Sequence, residues 1–156
     1  MNTELKNELT IVRVLDASRE KVWRACREPD ALKEWWGQPK GATMPVCKVD
    51  FRVGGSLHME VELPDGTKLW FKWIYREIVE GERLVMELHL SNMTGSELDS
   101  PDRPPSTITL RFEDMNGKTR LTVTHGGMAS EAHPVEQFSE GWSQSLDRLA
   151  DSLTHQ

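Results

Sequence analysis

Apolar positions in this chain repeat first every second residue and later every third or fourth. Leu9 to Leu15 is a β-branched run that predicts a strand. Ser18 is placed to cap a helix through Val22, Trp23 and Cys26, which Pro29 ends. A second short helix is predicted from Asp30, as its N-cap, to Trp36, with Gly37 as the stop. From Val46 the period becomes two. Cys47, Val49, Phe51 and Val53 alternate with Lys48, Asp50 and Arg52 until Gly54-Gly55 interrupts the strand. Leu57, Met59, Val61 and Leu63 form the next apolar row, and Pro64-Asp65-Gly66 is a hairpin turn.

The return strand, Thr67 to Ile78, carries Leu69, Phe71, Trp73 and Tyr75 on one face and Trp70, Lys72, Ile74 and Arg76 on the other. The cations mark the second face as wet, so Trp73 is predicted to point inward and Trp70 outward. Further inward rows are Leu84, Met86, Leu88 and Leu90, then Ile108, Leu110 and Phe112, then Leu121, Val123 and His125. Asn116-Gly117 is a strong hairpin signal. The polar stretch Asn92 to Pro105 is long for a connection and is a candidate lid. Beyond Gly127, Val135, Phe138, Trp142, Leu146, Leu149 and Leu153 recur at helical steps. The expected fold class is α+β, in the order strand, two short helices, six strands, long helix. An antiparallel sheet with one wet face must cover the other, and the C-terminal helix is the element long enough to do so.

Composition narrows the function. With 156 residues the chain is read as a single domain spanning 1–156, its core about residues 8–153. The net charge of -6 argues against nucleic acid or an anionic membrane as partner. No apolar run is long enough to cross a bilayer, and the first residues lack the pattern of a signal peptide, so the expected location is cytoplasmic. Cys26 and Cys47 are expected to be free thiols. His58-Met59-Glu60 matches half of a zinc-deaminase signature, but no second cysteine follows Cys47 at the needed spacing. No metal site, nucleotide loop or cofactor is expected. Glu60/Glu62 and Glu131/Glu136/Glu140 are read as solvated faces.

Six tryptophans accompany four phenylalanines and one tyrosine. Trp142 shares the apolar stripe of the long helix and is predicted to face Trp73, whereas Trp23 is read as packing beneath the sheet. Trp35 and Trp36 are placed near an open end of the sheet. Parity sends His125, an ionisable side chain, into the interior, with His58 and His89 outward. The candidate ligand-binding residues are Phe51, Met59, Phe71, Trp73, Tyr75, Leu88, Leu110, His125 and Trp142. They predict a cavity for a small hydrophobic or aromatic molecule, with His125 as its orienting polar group. Outward Trp70 and Ile74 nominate a homodimer surface.

The pattern of Arg13, Asp16, Ala17, Ser18, Val22 and Trp23, then Pro29, Asp30, Leu32, Trp35, Trp36 and Gly37, resembles the opening of the activator-of-heat-shock-ATPase homologue family. Phe51 to Ser56, Pro64 to Gly66, Tyr75 to Ile78 and Glu82 to Val85 continue the likeness. So do Gly141, Trp142, Ser143, Leu146, Asp147 and Leu149 on the last helix. The resemblance implies the START-like, helix-grip fold of the birch-pollen-allergen superfamily, whose members include carriers of hydrophobic molecules and polyketide cyclases. The eukaryotic members that name the family activate the 90-kDa heat-shock chaperone and carry an additional N-terminal domain. Three roles follow as expectations. The first is non-catalytic binding of a small molecule. The second is a cyclase or aromatase using His125 with Tyr75 as an acid/base pair, and the third is a co-chaperone or interaction module. Where family members often have a small residue, this chain has Trp73, which implies a partly filled or reshaped cavity.

Overall fold

The computed structural model describes residues 8–36, 41–91, 106–126 and 135–154. Its elements are β1 (Glu8–Leu15), α1 (Arg19–Ala25), α2 (Pro29–Trp35), β2 (Thr43–Val49) and β3 (Ser56–Glu62). They are followed by β4 (Lys68–Val79), β5 (Arg83–Ser91), β6 (Ser106–Met115), β7 (Lys118–Gly126) and α3 (Val135–Thr154). The seven strands form one antiparallel sheet in the order β1-β7-β6-β5-β4-β3-β2, so the first strand closes against the last. The α+β helix-grip architecture expected from the alternating rows is the one observed: the curved sheet holds α3, which packs on α2, β1 and α1.

Local chemistry explains the element ends. Ser18 is extended and its hydroxyl accepts from the Lys21 N–H at 3.2 Å, which starts α1. The second helix is capped two residues earlier than expected, at Glu28 instead of Asp30. Pro29 then sits in the first turn, where a missing N–H costs nothing. At the β3–β4 turn Asp65 accepts from the Thr67 N–H, and Gly66 takes a φ of 90°. Asn116 and Gly117 both have positive φ, the geometry a two-residue hairpin needs.

Two further expectations need correction. The strand β2 stops at Val49, so Phe51 and Val53 do not continue its inward row, and Val53 is 63% exposed. Glycine explains the stop. A Cβ on Gly55 would lie 2.2 Å from the Asp50 carbonyl oxygen, so the chain folds back on itself there, and Gly54 N–H and Gly55 C=O bond to Tyr75 instead. Glu60, read as solvated, is 7% exposed. Its outer-face neighbours in register are Val46 and Trp70, whose bulk hides the carboxylate's stem. The proposed lid, Asn92 to Pro105, lies outside the described residues.

Inward parity otherwise holds. Leu57, Met59, Val61, Trp73, Tyr75, Leu84, Met86, Ile108, Leu110, Phe112, Leu121 and Val123 join Leu146, Leu149 and Leu153 of α3 in the core. A bulge between Tyr75 and Glu77 leaves Arg76 outside and lets Ile78 return to the inner face opposite Leu84. Arg13 is a charged residue on an inward row of β1, and its guanidinium meets Asp147 of α3 at 2.7 Å. That ion pair ties the helix to the edge strand.

Candidate functional site

His125 ends the inward row of β7, where Leu9 on β1 and Ile108 on β6 flank it in register. It is buried, with Nε2 3.1 Å from Ser106 Oγ, and the Trp142 indole N–H donates to Nδ1 at 3.0 Å. An indole nitrogen can only donate, so Nδ1 must be an acceptor. The ring is therefore the neutral tautomer with its proton on Nε2, which donates to Ser106. Burial holds its pKa down at about 4. Ser106 belongs to this site although its residue type drew no attention. The signal was present, since it stands on the inward parity of Ile108, Leu110 and Phe112, the criterion that exposed His125.

The tryptophans meet around one that the pattern placed only near an open end. Trp36 is 1% exposed, and its ring touches Trp35, Trp73 and Trp142 edge-to-face with centroids 5.2, 5.4 and 5.8 Å away. Trp73 and Trp142, expected to face each other, are joined through it. The Trp35 N–H reaches the Ala25 carbonyl at 2.9 Å, a helix-end acceptor left over by α1. A second aromatic group lies toward the β4–β5 turn. There Trp23 packs on Phe112 and Phe51, and Phe51 packs on Tyr75, with centroids 5.2, 5.9 and 5.1 Å apart.

The nine candidate residues thus fall into two neighbourhoods. Trp73, Trp142 and His125 belong with Trp36, while Phe51 and Tyr75 belong with Trp23. Met59 and Leu110 are closed core, and Phe71 and Leu88 are half-buried on the inner face near Trp73, in register with Met59 and Trp73 respectively. Tyr75 and His125 share a cross-strand row, but β5 and β6 lie between them, about 14 Å of sheet at the usual strand spacing. The Tyr75 hydroxyl has no hydrogen-bond partner among the described residues, so it does not bond to His125, and burial pushes its pKa up. The expected acid/base pair is not formed. Trp70 is half-buried, not exposed as expected, because it stacks on His58 with centroids 5.0 Å apart. Ile74 beside it is also half-buried.

Among the described residues, no group of His, Cys, Asp and Glu could hold a metal ion, and no helix is long and apolar enough to cross a membrane. Cys26 and Cys47 are unbridged, and burial raises both thiols, Cys47 to about 11. A groove of about 360 Å³ lies at the α1 end, lined by Arg19, Glu20, Trp23, Glu80, Gly81 and Asp114. None of the nine candidates lines it. Three buried indole N–H groups, those of Trp23, Trp36 and Trp73, have no partner among the described residues, and what distinguishes the inner site is that two of them, Trp36 and Trp73, lie side by side.

Structural relatives agree with this architecture. The chain is 32% identical to a crystallised protein from Chromobacterium violaceum, with TM-score 0.77, covering 94% of this chain and 96% of that one. A Nitrosomonas europaea protein is 24% identical with TM-score 0.81, covering 96% of each. An AHSA1-like protein from Aeromonas hydrophila is 20% identical with TM-score 0.75, covering 95% and 92%. No curated protein matches the chain. The sequence pattern of one family spans residues 16–154, nearly everything from the end of β1 to the end of α3, and the chain accordingly belongs to the family described as Activator of Hsp90 ATPase homolog 1-like proteins.

Proposed function

We propose that this protein binds a small, largely apolar molecule at the inner face of the sheet beside α3, without catalysing a reaction on it. The observation that carries the reading is the pair of buried, unpartnered indole N–H groups of Trp36 and Trp73 next to the Trp142–His125 hydrogen bond. A buried donor without a partner costs about 1–3 kcal/mol. A protein recovers that cost when a bound molecule supplies the acceptor. Half-buried Phe71, Leu88 and Trp142 give the apolar approach.

The same geometry argues against general-base catalysis. A base needs a free lone pair, and the only one on neutral His125 already accepts from Trp142. Titration with Nile red, a neutral polarity-sensitive dye, tests the binding reading. A saturable one-to-one rise in emission is expected, and Leu88→Trp, which fills the approach, should abolish it while leaving the circular dichroism unchanged. A signal that does not saturate, or that ignores Leu88→Trp, refutes it.

A further inference from the structure

The interior has a surplus of one kind of polar group. Tryptophan brings an N–H donor and no acceptor. Sheet carbonyls are consumed by the strand ladders. Only two interior indoles have found an acceptor: Trp35 uses the Ala25 carbonyl, and Trp142 uses His125 Nδ1. Trp23, Trp36 and Trp73 have none among the described residues, and of these Trp36 and Trp73 are in contact with each other. Their edge-to-face ring contacts leave at best N–H···π interactions, which are second-order beside a true hydrogen bond. The remaining polar group nearby, Ser106, already takes the His125 proton as an acceptor and has its own O–H to give. What this site offers a ligand is donors.

Charge narrows the class further. The inner rows around the site are Val49, Leu57, Trp73, Leu88 and Ser106, and beside them Cys47, Met59 and Phe71. They contain no lysine or arginine, and His125 is held neutral. A carboxylate entering here would lose its hydration, and the cation that acts on these rows, Lys33 of α2, is felt at Cys47 on their margin. The three tryptophan rings of the site supply flat apolar walls set nearly at right angles, 82° between Trp36 and Trp73 and 89° between Trp36 and Trp142.

Resting on the binding reading above, we propose that the ligand is an uncharged planar molecule carrying hydrogen-bond acceptors, of the aryl ketone class, and that Trp36 and Trp73 select it by donating to those acceptors. A ligand whose polar groups are chiefly donors finds, among the described residues here, little beyond the second lone pair of Ser106 Oγ, and a purely apolar one leaves both N–H groups buried and unpaired.

Three naphthalenes of one shape test this: 2-acetonaphthone, its apolar isostere 2-isopropenylnaphthalene, and 2-naphthoate. Binding is followed by calorimetry and by the indole N–H signals in ¹H–¹⁵N spectra, assigned with single Trp→Phe variants. The ketone is expected to bind at least about tenfold more tightly than the isostere, the ratio that one net hydrogen bond supplies. The Trp36 or Trp73 N–H signals should move downfield with the ketone alone. Naphthoate should bind more weakly than the ketone. Equal or tighter binding of the isostere or of naphthoate overturns the ligand class and leaves the site intact. Failure of all three to bind overturns the site itself. Because the affinities are measured by calorimetry on the parent protein, the ranking of the three ligands does not depend on any variant folding.

Discussion

Protonation of His125 should break the Trp142–His125 bond, one of two polar links described between α3 and the sheet. Both nitrogens of the charged ring are donors, so Nδ1 can no longer accept from Trp142, and the cation sits buried between β6, β7 and α3. Among the described residues, Ser106, Ile108, Trp142 and Leu9 face it from those elements and from β1, and these four are uncharged. The ordinary histidine value is 6.5 and the folded value about 4. The sign follows from which state binds the proton. Above about pH 7 the ring is neutral folded or unfolded, and stability does not change on its account. As pH falls below 6.5 the unfolded chain takes up the proton while the folded one refuses it, so stability drops until about pH 4. The full difference is about 3 kcal/mol. Urea midpoints at pH 7.5, 6, 5 and 4 measure it, with His125→Gln as reference. Glutamine accepts from Trp142 and donates to Ser106 without titrating. Half-buried His58 and His89 are present in both proteins and cancel in the comparison. The parent should lose about 3 kcal/mol more than the variant between pH 7 and pH 4. Parallel pH profiles in the two proteins would refute the reasoning, as would a parent-specific loss confined to pH above 6.5.

Three other perturbations have definite outcomes. Trp36→Ala removes the ring that joins Trp35, Trp73 and Trp142, and should cost about 3–5 kcal/mol in chemical denaturation, the range for a large buried aromatic. A loss below about 1 kcal/mol would mean the cluster is not packed as described. Gly55→Ala puts a Cβ against the Asp50 backbone oxygen at 2.2 Å, which no rotamer relieves, so a fall of at least about 1–3 kcal/mol in stability is expected. An unchanged melting temperature contradicts the close approach. The Arg13–Asp147 pair is short, but Asp147 is 70% exposed, so a double-mutant cycle should give a coupling of only about 0.2–1 kcal/mol, shrinking in high salt.

Row membership was legible in the sequence because a strand has a strict period of two. That rule placed Trp73, Tyr75, Leu110 and His125 on the inner face, and applied to β6 it would have added Ser106. It failed where the backbone leaves the strand. Phe51 lies past the end of β2, and its partners are Trp23 and Tyr75 instead of the residues its parity suggested. It failed for Glu60 for a different reason: parity says which face a side chain takes, and the neighbours on that face decide whether water reaches it. Position along a row is a second coordinate that periodicity does not carry. Tyr75 and His125 have the same parity, yet two strands separate them, and only the pairing order β7-β6-β5-β4 reveals it. The least legible residue was Trp36. It stands after the last turn of α2, where helical spacing no longer constrains it, and its φ and ψ of -73° and 122° turn it into the interior.

That turn changes what the abundance of tryptophan means. Aromatic residues in a core usually signal packing, and Trp23 packs on Phe51 and Phe112 beside an open groove, with its own N–H buried and unpartnered but no second such donor beside it. A leucine or phenylalanine at position 36 or 73 would fill space without burying a donor. Indole at both positions leaves two N–H groups unsatisfied, at a cost of about 1–3 kcal/mol each, in a site where the one imidazole lone pair is already taken by Trp142. Packing alone gives no reason to accept that cost twice, next to each other. Recognition of an acceptor does, and it makes the pair of donors, rather than the apolar walls, the part of the interior that would tell one ligand from another.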